Sequence, residues 1–293
     1  MGPRSAVLRA SFFEVLCEPL SLLLTLGALA LMVVGAVFHC HNFGEPARLV
    51  CELGLSAQMI GGIAIGVSAA ARTFGREEAS GTLAMTLAHP LSRGGFFLAK
   101  CAGVWAGAGL LMWTIYCLTV ALARGALAGH ALAAHTGDVP RIWGPLVAVA
   151  GGAPLAALCW GAIWNRLTRG RFVCTALVAL AALSSASLLL PWSDWRLAGE
   201  LLASSVLLLF PTAVFIVLAA AATVRLGERA AVALALGVFV STLPLLGNYY
   251  PSARVLREGF AWRDGLCAAF AALPLLAGLG ALGVYFLDRK DIG

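Results

Sequence analysis

Charged side chains make up only 12% of the 293 residues, and just two are lysines, Lys100 and Lys290. A soluble surface needs roughly twice that density of charge, so the composition excludes an ordinary soluble fold. The shortage of lysine excludes something more. A phosphate-cradling G-x-x-x-x-G-K-[ST] loop needs a lysine directly after a glycine, and neither lysine follows one; any ATP-driven work has to come from another chain. Cysteines at C-x-x-C spacing are missing, which leaves Cys17, Cys101, Cys117, Cys159, Cys174 and Cys267 to read as small apolar residues. Ionisable groups are almost absent from the centres of the apolar runs, against a proton relay or an ion-coupled carrier. The net charge of +6 is spread over short patches and never collects in a tail, so it does not mark a nucleic-acid partner.

What is abundant is apolar sequence, 61% of the chain, gathered into runs of about 20 residues, the length that crosses ~30 Å of hydrocarbon. The runs predict an all-α polytopic membrane protein with spans near 20–38, 51–71, 98–123, 142–164, 172–190, 201–224, 230–247 and 266–287. Pro211 and Pro244 weaken the sixth and seventh, so the reading is six to eight transmembrane helices. Either number leaves both termini on one side. Thirteen of the twenty Lys and Arg residues fall on the side of the termini, which the positive-inside rule makes the cytoplasm. Residues 1–19 form a separate unit: Ala6, Arg9, Phe13 and Leu16 recur at helical spacing before Pro19, as expected of an amphipathic helix in the interface. Residues 20–293 form a single transmembrane domain.

The longest cytoplasmic connection, 72–97, is the one polar segment with internal design. Glu77 and Glu78 follow Arg72 and Arg76 where the second span ends. Ser80 or Thr82 can cap a short helix carrying Leu83 and Leu87, Pro90 stops that helix, and Ser92 can cap the next. The order Arg-x-x-x-Arg-Glu-Glu-x-x-Gly-Thr-Leu, then Leu-x-x-Pro-Leu-Ser-Arg, then a lysine opening the next span resembles the first cytoplasmic loop of ABC-2 type transporter permeases. The closing Tyr285-Phe-Leu-Asp-Arg-Lys-Asp-Ile292 and the helix before Pro19 fit the same family, nearest its multicopper-enzyme-maturation-like branch. The resemblance implies a non-catalytic permease subunit of an ATP-binding-cassette exporter in a cytoplasmic (inner) membrane of bacterial type. It implies a second permease copy or a homologous permease as partner, and a cytoplasmic ATPase subunit that holds the ATP and Mg, with no cofactor on this chain. Carried over by position, Glu77, Glu78, Gly81, Thr82, Pro90, Ser92 and Arg93 form the ATPase-coupling element, and Lys100 marks the re-entry. A plain solvated connection is the alternative for the loop, and a membrane anchor or assembly factor is the alternative for the protein.

Other constellations are less specific. Gly62 and Gly66 in the second span, and Gly103 and Gly107 in the third, allow close helix approach within one subunit or across a dimer. Gln58 is the main deep polar group. His39, Cys40 and His41 lie near Cys51 across a short outer loop, a set compatible with a Cys40–Cys51 disulfide, with a copper or zinc site, or with free thiols. His130, His135 and Asp138 share an outer loop, the thin basis for a membrane-embedded enzyme.

Overall fold

The computed structural model describes residues 3–37, 47–79, 92–136, 151–188, 195–246 and 262–289. Every regular element among them is helical: α1 (Pro3–Leu16), α2 (Pro19–Val37), α3 (Arg48–Ala79), α4 (Arg93–Thr136), α5 (Ala153–Thr168), α6 (Phe172–Ser187), α7 (Trp195–Leu226), α8 (Glu228–Leu246) and α9 (Trp262–Asp288). Helix is the form in which a segment satisfies its own backbone inside hydrocarbon. Its boundaries follow local chemistry. Pro19 opens α2, where its missing N–H costs nothing; Gly227, at φ +82°, closes α7 in the left-handed region that glycine enters freely. Pro211 lies inside α7 without ending it. Nearby, Trp105 of α4 donates its indole N–H to the Leu209 carbonyl at 3.0 Å, tying the proline-containing turn to its neighbour.

Among the described residues, five helices are long and apolar enough to cross a membrane: Pro19–Ala36, Arg48–Glu77, Arg93–Leu127, Leu197–Leu226 and Ala271–Asp288. The protein is therefore an all-helical integral membrane protein. Helices α5 and α6, at 16 residues each, are shorter, and the expected span 142–164 begins outside the described residues. The largest departures from expectation are at helix ends. Helix α3 runs on to Ala79 and α4 begins at Arg93, so the outer parts of the expected 72–97 loop are helical. Helix α4 also continues to Thr136 through an alanine-rich stretch of high helix propensity. That puts His130 and His135 on a helix and not in the expected outer loop; Asp138 lies outside the described residues.

The centre is built by α3, α4 and α7, with α2 and α9 packed on them. Helices α3 and α4 are antiparallel: Gly54 meets Thr119, Gly62 meets Met112 and Thr73 meets Lys100. A Cβ on Gly62 would stand 2.7 Å from the Met112 sulfur, and one on Gly66 would stand 2.7 Å from Ile216 of α7. Gln58, between the first two contacts, is fully buried, and its amide has no hydrogen-bond partner among the described residues. Gly103 and Gly107 receive α1: a Cβ on Gly103 would collide with the Leu8 carbonyl oxygen, and one on Gly107 would stand 2.8 Å from Val15. All four glycines thus serve packing within this chain.

Helix α1 packs against α4 along its length. From Arg4 against Gly95, through Leu8 against Gly103, to Val15 against Gly107, the two sequences advance in step, so α1 runs lengthwise beside α4. Two charged levels bracket the bundle. One holds Lys100 with Glu77, and Arg72 with Glu18; the other holds buried Arg124 and the Arg48–Glu52 pair. Helix α4 rises about 36 Å between Lys100 and Arg124 at 1.5 Å per residue, a hydrocarbon core plus its margins. The start of α1 and the end of α9 both lie at the Lys100 end, since Arg4 reaches Gly95 and Arg93 reaches Asp288.

Candidate functional site: the charged clasp between α3 and α4

Helix α3 presents Thr73, Phe74 and Glu77 to α4, residues that helical spacing places on adjoining parts of one face. Helix α4 answers with Phe96 and Lys100. Lys100 is 2% exposed and pairs with the Glu77 carboxylate. It also donates to the Thr73 carbonyl at 2.8 Å, and its ammonium lies 4.7 Å from the Phe74 ring centre and 5.2 Å from that of Phe96. A buried cation needs such company, because desolvation alone would drive off its proton or expel the side chain. Two aromatic faces, a carbonyl and a carboxylate supply it.

Next to this pair, Arg72 holds Glu18, one of the two residues between α1 and α2, and donates through Nε to the Ser68 carbonyl at 3.2 Å. A cavity of about 20 Å³, room for a single water, lies among Glu14, Glu18, Arg72, Thr73 and Arg76. Burial raises the Glu18 carboxyl above its ordinary value against the opposing pull of Arg72 and Arg76. On the far side, Arg93 donates to the carbonyls of Leu287 and Asp288 at 3.2 and 3.0 Å, the electronegative end of α9. Ser92 accepts from the Gly95 N–H at 3.2 Å, a side-chain cap at the start of α4.

Three of the residues expected in the coupling element have contacts among the described residues. Glu77 meets Lys100, Arg93 meets α9, and Ser92 caps α4. Glu77 and Arg93 are both engaged within the chain, one near the end of α3 and the other at the start of α4. Glu78 falls in the last turn of α3; Gly81, Thr82 and Pro90 lie outside the described residues. The sequence reading missed Glu18, Phe74, Phe96 and Asp288. The available signal was Lys100 itself, an ammonium two turns into an apolar helix, which demands a partner. At the other level Cys51 is buried and has no disulfide partner among the described residues, while His39, Cys40 and His41 lie outside them. No group of three His, Cys, Asp or Glu residues among the described residues is placed to hold a metal.

In comparisons with family models, curated proteins and solved structures, none matches this chain.

Proposed function

We propose that this chain is the permease subunit of an ABC-2 type exporter, driven by ATP and Mg bound to a separate cytoplasmic ATPase subunit and assembled with a second permease. The observation that carries the reading is the mounting of the 80–91 connection. In the chain it joins α3 to α4, and those helices are tied to each other by Glu77–Lys100, to the α1–α2 link by Arg72–Glu18 and to α9 by Arg93. A connection on a flexible tether would absorb a push from a partner; one on this base passes it into two helices that extend to the Arg48–Arg124 level. The Arg-x-x-x-Arg-Glu-Glu-x-x-Gly-Thr-Leu order supports the same reading. In it the chain contributes mechanical coupling and a pathway and leaves the hydrolysis to its partner.

The test is to co-express the chain with ATPases carrying Walker motifs from the same genome and to measure co-purification and ATP turnover. Glu78→Arg and Gly81→Pro are expected to leave insertion intact and to lower recruitment or stimulation, the first by reversing charge and the second by removing a backbone donor. Unchanged recruitment and turnover in both would exclude the connection from coupling. Recruitment without transport by the native protein would favour an anchor.

A further inference from the structure

The tip of the α5–α6 hairpin carries three arginines. Arg169 takes the left-handed conformation, φ 53°, that ends α5, and Gly170 and Arg171 lead into α6. Arg166, Arg169 and Arg171 are all exposed, and none is within ion-pair distance of a carboxylate among the described residues, unlike Arg72, Arg93 and Lys100 at the same end of the bundle. The tip is at membrane-surface depth. Arg171 lies against the Cys17 thiol, next to Glu18 of the charged level, and the start of α6 reaches α1 and α2.

Beneath the guanidinium groups the same helix changes character. Trp160 and Trp164 stack with ring centres 6.2 Å apart and planes at 22°. Both face outward, as does Leu167, 74% exposed. Helix α5 packs against α6 as its partner among the described helices, so this apolar side is left to lipid. From Arg166 back to Trp160 is about 9 Å along the axis, the step from a phosphate to the upper part of its acyl chains. We infer that this tip is a binding site for an anionic phospholipid, with Arg166, Arg169 and Arg171 around the phosphate and the Trp160–Trp164 stack against the acyl chain. Guanidinium donors match phosphate oxygens in geometry as well as charge, and tryptophan prefers this depth. The site is independent of any ATPase partner.

Native mass spectrometry of the full-length protein in an equimolar mixture of phosphatidylglycerol and phosphatidylcholine tests this. The wild type should retain the anionic lipid over the zwitterionic one by at least about fivefold, the effect of a single well-placed basic residue at a charged surface. The triple variant Arg166→Gln, Arg169→Gln, Arg171→Gln should fall to near parity, and the corresponding triple lysine variant should keep most of the preference. Equal retention of the two lipids by the wild type would overturn the proposal whatever the variants do. So would a glutamine variant that keeps the full preference.

Discussion

The α1–α3–α4–α7 core and the α5–α6 hairpin are both built from apolar helices with glycines at their closest contacts, and differ in how much of each helix is covered. In the core, glycines meet side chains and backbone: Gly62 takes Met112, Gly66 takes Ile216, and Gly103 takes the Leu8 carbonyl. In α5 the large residues point away from the protein, with Leu155 63% and Leu167 74% exposed. Lipid tails solvate leucine as well as another leucine does, so burying a large side chain gains little inside a membrane, and close approach of small residues becomes the means of association. Small residues thus mark the closest contacts in both regions, Gly161 against Ala176 included, while large apolar side chains serve both as exposed surface, as at Leu167, and as interior filling, as at Phe97 and Leu177.

This contrast can be broken most severely at the clasp. Lys100→Met strands the Glu77 carboxylate, and Glu77→Leu strands the ammonium; each should destabilise the protein by about 3–5 kcal/mol, while the double variant recovers most of that loss because both charges leave together. Unfolding in detergent, followed as a double-mutant cycle, reads the coupling directly. Additive losses would mean that the pair is not one unit. A smaller effect separates the two regions themselves. Gly103→Val should cost about 1–3 kcal/mol or more, because the atom it strikes is backbone, whereas lipid-facing Leu167→Ala should change stability by less than about 0.5 kcal/mol. Comparable losses at the two sites would erase the distinction.

The smallest expected effect concerns pH. Burial raises the Glu18 carboxyl above 4.5, so the folded protein holds that proton more tightly than the unfolded chain. Its contribution is present at pH values below the ordinary carboxylate range and is lost as pH rises through the folded value. Glu18→Gln should remove that slope, so the wild type should lose Tm relative to the variant between about pH 4.5 and neutrality. A wild type that gains on the variant over that interval would reverse the sign of the argument.

Much of this fold was legible in the sequence, since a 20-residue apolar run dictates a helix whatever its neighbours. Runs near 20–38, 51–71 and 201–224 lie on α2, α3 and α7. What the runs do not encode is where a helix stops once outside the lipid, which explains why α3 reaches Ala79 and α4 reaches Thr136. Contacts were less legible than elements. Glycines four residues apart are the same signal for an internal neighbour and for a second copy, and only the fold shows that Gly103 and Gly107 receive α1. The partner of Lys100 was half legible: Glu77 stood out in the loop, but Phe74 and Phe96 are indistinguishable by type from any other phenylalanine in a span.

The central claim, that the 80–91 connection docks an ATPase, is tested most directly by a photo-crosslinking amino acid placed at Thr86 in the full-length protein in cells. The account predicts an adduct with a Walker-motif ATPase, identified by mass spectrometry, that is lost in Gly81→Pro. Efficient crosslinking with no ATPase among the adducts, or reaction of a cysteine at Ser80 with an impermeant thiol reagent in intact cells, would contradict it.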